Sequence, residues 1–449
     1  MFQLLTLAAA FAAAPQCGPL DLDTALALAS ANGDEVAIRR GEIAAAEADL
    51  SLANALRWFP SANATVLTGE VPEARGTVTN PIAGSNRSLA GIGPFVRLDV
   101  NVIQPLYTWG RIDAAQAAAR AGIEARSLLL QDTTSQVQLR VVQLFWGEAL
   151  ARRLLAVAAD VEKALVEVDK RINDALADNS DEVKPSDRFQ LDVYRAQLRR
   201  KKAEAQRGLA LAHAGLAATL ASSPERVVVQ EAQLPVPPVD VPELGAARAA
   251  AVRQRPDVGA LDQAILARSA EVRAAGAAQL PQIFLGGTFA YSYAPNRDVQ
   301  TNPFIGDYFN TLGGGVALGF RQDLAFPLLR AQAEKARAER STLERQREGL
   351  MRLVEVQVET AVADVRSAAE RFAAAKDALQ AGKAWFRSVG LDFEAGVAEG
   401  KDLLTAYGAY VEGQIEQAQA TYELVLARAR LDQATGAAPR KLRAPCELR

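Results

Sequence analysis

The chain has 449 residues, 23% charged and 49% hydrophobic, with a formal net charge of −3, one histidine and two methionines. That length allows about three globular domains, but Ala, Glu, Arg, Leu and Gln fill long uninterrupted segments, the composition of long helices and coiled coils. Acidic and basic residues are intermixed, which excludes the clustered basic face of a nucleic-acid-binding protein. Scarce His, Cys and Met argue against a soft-metal relay, and no apolar run reaches the roughly 18 residues of a membrane-spanning helix.

In chain order, residues 1–18 read as a secretory signal peptide: an apolar core ends in small residues around Ala12-Ala13-Ala14, although no Lys or Arg precedes it. Cys17 and Cys446 are the only cysteines, one near each end. In an exported chain they can pair as a disulfide, stay as two tail thiols, or Cys17 can carry a lipid anchor; spacing does not choose.

A first repeat is expected over 19–233. Trp58-Phe59-Pro60 leads into a strand at about 60–70, and a Gly/Asn/Pro-rich loop leads to a second strand at about 94–104. In that second strand Val96, Leu98, Val100 and Val102 alternate with Arg97, Asp99 and Asn101. Period two puts the two sets on opposite faces, as in a strand between lipid and a wet barrel lumen. No proline follows between Pro105 and Pro185, and a helical hairpin is expected over about 110–222. Ile123, Leu130, Val137, Leu144, Ala151, Ala158, Leu165 and Ile172 recur every seven residues along its first arm. The turn falls near 177–185, and Ser186 or Asp187 would cap the returning arm. His213, on that arm, reads as a groove or surface residue. The Pro-rich stretch 234–244 is an extended linker.

The second repeat, 245–436, has the same plan: strands at about 281–293 and 312–324, then a proline-free hairpin over about 328–436, with a tail at 437–449. Val316, Leu318 and Phe320 oppose Ala317, Gly319 and Arg321. Along the first arm Val354, Val358, Ala361, Val365, Ala368, Phe372, Ala375, Leu379, Gly382, Phe386, Val389 and Phe393 alternate four and three apart, the seam of a left-handed supercoil. Leu404, Gly408, Val411, Ile415, Ala418, Tyr422, Val425 and Ala429 are the matching stripe of the returning arm. Trp58, Phe59, Tyr107 and Trp109 would gather at one membrane interface, and Tyr291 and Tyr293 would mark the other. Arg97, Asp99, Asn101 and Arg321 would face the lumen. Four strands cannot close a barrel, for which about eight is the minimum, and lipid does not tolerate open edges. The strands must be shared, giving eight for two chains or twelve for three.

Val100-Asn101-Val102-Ile103-Gln104-Pro105-Leu106-Tyr107-Thr108-Trp109-Gly110-Arg111 resembles the strand-to-helix element of the TolC-like outer membrane efflux proteins. Phe393-Glu394-Ala395-Gly396, followed by Asp402-Leu403-Leu404-Thr405-Ala406, resembles that family's second helical turn. The resemblance covers roughly Leu20 to Gly436. It implies a mainly α fold with transmembrane β-strands: a homotrimer whose twelve-stranded barrel continues into an α-helical periplasmic tunnel, in the outer membrane of a Gram-negative-type cell. The implied role is a passive exit duct of a tripartite efflux or type I secretion system, without catalytic residues, metal or cofactor. It would sit in outer membrane lipid and meet a periplasmic adaptor and an inner-membrane pump of RND, MFS or ABC type. Asp402 and Asp187 stand at the family's acidic gate positions, and Thr405 stands where a second acid is frequent. Ala395, Gly396, Val397, Ala398, Glu399 and Gly400 would contact the adaptor. The competing reading from the residues alone is a periplasmic coiled-coil adaptor or scaffold without a barrel.

Overall fold

The computed structural model describes residues 19–75, 91–177, 185–230, 233–238, 240–300, 302, 304–395 and 397–437. The expected signal peptide, Cys17, Cys446 and Gly396 lie outside them. The order is α1 (Leu22–Asn32), α2 (Asp34–Trp58), β1 (Ser61–Pro72), β2 (Ile92–Tyr107), α3 (Arg111–Ala177) and α4 (Pro185–Thr219). It then repeats as α5 (Leu244–Gln254), α6 (Pro256–Ala277), β3 (Gln282–Tyr293), β4 (Thr311–Arg321), α7 (Phe326–Glu394) and α8 (Gly400–Ala434). The short helix pairs before each strand pair have no counterpart in the sequence reading. They are broken at Gly33, and at Arg255 just before Pro256; a residue ahead of proline is driven out of helical geometry.

The chain forms two compact units. One, made of Ile43–Ala125 and Leu261–Gln346, holds a four-stranded antiparallel sheet in the order β1-β2-β3-β4. The other, made of Met1–Glu42, Arg126–Ala260 and Arg347–Arg449, is mainly helical over its described residues. None of the described helices is long and apolar enough to cross a membrane.

Among the described residues the helical unit has three hydrophobic clusters. The first joins Leu28, Val141, Phe145, Leu216 and Leu220, the second joins Val354, Val358, Val365, Leu424 and Leu431, and the smallest packs Leu165 of α3 against Leu191 of α4. Of the α7 stripe, Val354, Val358, Ala361, Val365, Ala368, Ala375 and Gly382 are buried, whereas Phe393 is exposed. Helix α8 buries residues beyond the stripe read from the sequence. Gly413, Leu424, Ala427 and Leu431 of α8 meet α7 and are all buried; a Cβ on Gly413 would lie 3.0 Å from the Leu379 Cα. The stripe read along the returning arm faces α3 over much of its length. Tyr422 donates its hydroxyl to the Gln143 carbonyl (3.3 Å), and Val425 joins the Phe145 cluster. Leu404, Gly408, Val411 and Ile415 line a groove of about 690 Å³ with Leu150, Leu154 and Leu165 of α3. Helix α8 carries two apolar stripes because it has neighbours on two sides, and periodicity alone does not assign a stripe to a neighbour.

A correction concerns α4. It starts at Pro185, so Ser186 and Asp187 stand inside the first turn and not at the cap; proline suits that first position because its missing N–H would be unpaired there anyway. The Asp187 side chain lies outside the described residues. His213 bridges the buried Glu148 carboxylate (3.2 Å) and the Pro224 carbonyl (3.0 Å), in the partly exposed setting expected of it.

Candidate functional site: a two-faced sheet and a helical turn

The register fixes which residues share a face. Thr65 pairs with Asp99 and Leu67 with Arg97; Arg97 pairs with Ser292, Asp99 with Ala290 and Asn101 with Thr288; Gln282 pairs with Arg321. Directly opposed residues project to the same side and every second residue along a strand joins them. Arg97, Asp99, Asn101 and Arg321 therefore lie on one face, with Asn63, Thr65, Thr288 and Ser292. The other face carries Val66, then Val96, Leu98, Val100 and Val102, then Leu285, Phe289, Tyr291 and Tyr293, then Val316, Leu318 and Phe320. Val316 and Phe320 are 76% and 78% exposed. A contiguous apolar surface of this kind needs a nonaqueous neighbour.

On the polar face the Arg97 guanidinium forms an ion pair with Asp99 two residues on (2.6 Å). The Arg321 guanidinium sits 5.3 Å from the centroid of the Phe284 ring, a cation–π contact. The sequence reading missed Phe284. It is on the polar face because it pairs with Gly319, and a Cβ on Gly319 would come within 2.9 Å of its ring. Period two placed Phe284 with Gln282 and Thr288, and that parity was the available signal.

The aromatic residues fall at two ends. Ser61 pairs with Ile103, which brings Trp58 and Phe59 beside the β2 end that carries Tyr107 and Trp109. Tyr291 pairs with Leu98 and Tyr293 with Val96, at the far end of β2. Strict alternation would put Tyr107 on the polar face with Arg97. A bulge between Pro105 and Tyr107 sets Tyr107 opposite Ile283, on the apolar face. Trp109 then turns the chain into α3 at φ 54°, followed by Gly110 at φ 79°. A left-handed tryptophan is strained, and its indole N–H donates to the Pro281 carbonyl at 2.6 Å, which fixes it to the start of the second strand pair.

At the α7–α8 turn, Val397 and Ala398 donate their N–H groups to the Asp392 carbonyl (2.8 and 3.2 Å), closing α7. Val397 is 80% exposed. Glu399 and Asp402 form a capping box at the start of α8: the Glu399 N–H points to the Asp402 carboxylate at 3.4 Å. Lys401 pairs with Glu399 at 2.7 Å, and that hydrogen bond holds the Lys401 ammonium above its ordinary range. Thr405 donates its hydroxyl to the Lys401 carbonyl (2.7 Å). Asp402 and Thr405 are both exposed and lie three residues apart on one helix face.

Residues 248–437 match the model of the family described as outer membrane efflux protein. No curated protein matches. The chain is similar in structure to the CmeC outer membrane channel of Campylobacter jejuni, at a TM-score of 0.75 and 14% identity over 92% of this chain and 85% of that one. It is similar to the open state of the MtrE outer membrane channel of Neisseria gonorrhoeae, at 0.72 and 17% over 94% and 90%. The outer membrane protein VceC of Vibrio cholerae gives 0.72 and 15% over 93% and 97%.

Proposed function

We propose, from the match of residues 248–437 to the outer membrane efflux protein family model and the likeness of the fold to outer membrane channels over 92–94% of the chain, that this protein is the outer-membrane duct of a tripartite efflux or type I secretion system. The observation that carries the proposal is the sheet: one face polar, the other apolar and open, with aromatic residues at both ends. An apolar face toward lipid and a polar face toward water is the arrangement of a transmembrane barrel wall.

The sheet leaves β1 and β4 as edges. Because the order is a simple antiparallel meander, β4 of one copy runs antiparallel to β1 of the next, and copies can close a barrel without a parallel seam. Three copies give twelve strands, the number the family resemblance implies, so we infer a homotrimer. Arg97, Asp99, Asn101 and Arg321 then line the lumen. Trp58, Phe59, Tyr107 and Trp109 form the periplasmic aromatic girdle, and Tyr291 and Tyr293 the external one. The duct is passive: an adaptor and an inner-membrane pump supply specificity and energy, and Ala395–Gly400, with its exposed Val397, is the adaptor contact. The chain acts as a conduit and not as an enzyme.

We assign Asp402, with Thr405 on the same helix face and Asp187 on the first hairpin, to the gate at the helix tips. Three copies of an acid held near one axis attract cations and repel anions. Asp402 is also part of a helix cap, so the test must separate charge from capping. Asp402→Asn keeps an acceptor oxygen for the Glu399 N–H and loses the charge. In planar bilayers, Asp402→Asn and Asp402→Ala are both expected to weaken block by multivalent cations. If Asn behaves as the parent chain and only Ala differs, Asp402 is a cap and the gate assignment falls.

A further inference from the structure

The β3–β4 connection does not stay on the rim of its own hairpin. Beyond β3, Ala74 pairs with this connection: the Ala74 N–H donates to the Asn296 carbonyl (3.3 Å) and the Asp298 N–H donates to the Ala74 carbonyl (3.0 Å). Arg297 donates to the Pro72 carbonyl at 2.7 Å. Pro72 ends β1 and Ala74 follows it, and β2 lies between β1 and β3 in the sheet. To reach them, the chain leaving β3 must cross the end of β2.

Two contacts show on which face it crosses. A Cβ added to Gly93 would fall 2.1 Å from the Asn296 amide nitrogen, so that side chain lies directly over Gly93. The Phe95 and Phe309 rings meet edge to face with centroids 5.6 Å apart. Gly93 and Phe95 share the parity of Arg97, Asp99 and Asn101, and Phe95 pairs with Gly69, in line with Leu67 and Thr65. The connection therefore folds over the polar face. It is held there by the Arg297 guanidinium, 4.0 Å from the Phe309 centroid, and by Asp307, whose carboxylate accepts the N–H groups of Gln300, Phe309 and Asn310.

We propose that Arg297, Phe309 and Phe95 form a clasp that folds the β3–β4 connection into the external mouth of the barrel, giving the duct an exit constriction that limits cargo size. This rests on the reading of the polar face as the lumen. Three inward-folded connections narrow the mouth together, so the duct suits small molecules and would pass a folded protein only with the clasp open.

The test is labelling from outside intact cells. Asn101→Cys sits on the lumen face, four residues along β2 from Arg97, or about 13 Å toward the periplasmic end. Phe304→Cys, at a position 95% exposed in the connection, reports correct insertion. A small charged thiol reagent and a polyethylene-glycol maleimide of a few kilodaltons are added in turn, and labelling of the parent chain, with Cys17 and Cys446, is subtracted. The expected result is that the small reagent reaches Asn101→Cys, the large one lags several-fold, and the lag vanishes when Arg297→Ala and Phe309→Ala are added. Should that variant fail to insert, Phe309→Ala alone is expected to shorten the lag. Equal rates for the large reagent with and without the clasp overturn the constriction and leave the duct standing. If Phe304→Cys labels and Asn101→Cys stays silent to both reagents, the polar face is not the lumen, and both readings fall together.

Discussion

Trp109 shows how a single residue can hold two repeats in register. It adopts a left-handed backbone that costs about 1–2 kcal/mol for an L-residue, at the point where β2 must reverse into α3. The compensation is its indole N–H bond to Pro281, 172 residues away. Trp109→Phe keeps the ring and the strain and loses the bond, so the assembly should be destabilised by about 1 kcal/mol. A lower temperature of heat-induced dissociation on gels would show this, and an unchanged one would contradict it. Asp132, on α3, makes a prediction of the opposite sign. Burial, and then the charge of Asp257, push its carboxyl above the ordinary range, although Gln136 donates to it and Arg255 and Arg39 oppose the shift. The native state therefore binds the proton more tightly than the unfolded chain, and stability falls as pH rises from the ordinary Asp range through the raised value. Asp132→Asn should be more stable than the parent at pH 7, with a smaller gain at pH 4. Equal or lower stability at pH 7 would refute that account. The polar-face residues Arg97, Asp99, Asn101 and Arg321 could be read from alternation alone. Tyr107 could not, because the bulge that turns it over is invisible to a strict period of two; Phe284 could have been, since it shares the parity of Gln282 and Thr288 on its own strand.

At the scale of elements, α8 shows where periodicity runs out. Gly413 and Ala427 let α7 approach closely, with Leu424 and Leu431 packed beside them, whereas Leu404, Val411, Ile415 and Val425 face α3. A single seven-residue count finds either stripe. Gly413→Val should separate α7 from α8, because a Cβ there already meets the Leu379 backbone at 3.0 Å. Overpacking of this kind costs about 1–3 kcal/mol, and it should lower the dissociation temperature, whereas Val411→Ala on the groove side should have the smaller effect. Equal effects would mean the two stripes are not distinguished as described. The long arms and both strand pairs were legible because nothing breaks them for tens of residues and their alternation is clean. The helix pairs α1–α2 and α5–α6 were not. Helix α1 buries five consecutive residues, Ala25–Ala29, so it shows no one-sided period, and the buried face of α2 rests largely on alanines such as Ala46 and Ala53, which do not stand out in an alanine-rich chain.

The whole molecule follows from an imbalance that one chain cannot resolve. Its sheet exposes a broad apolar face and two unpaired edges, and each would be intolerable in water. On the proposed reading, lipid covers the face and further copies cover the edges. Duplication supplies half of this arrangement, since two strand pairs from two repeats meet as β2 against β3 in one sheet. The proposed trimer would supply the rest. The measurement that bears most directly on this account is single-channel conductance of the detergent-extracted protein, with its oligomeric mass taken on the same sample. The account predicts a homotrimer that needs detergent and forms discrete channels sensitive to multivalent cations. A protein that stays dispersed without detergent and conducts no current would contradict it, because the apolar face would then have to be covered by something other than lipid.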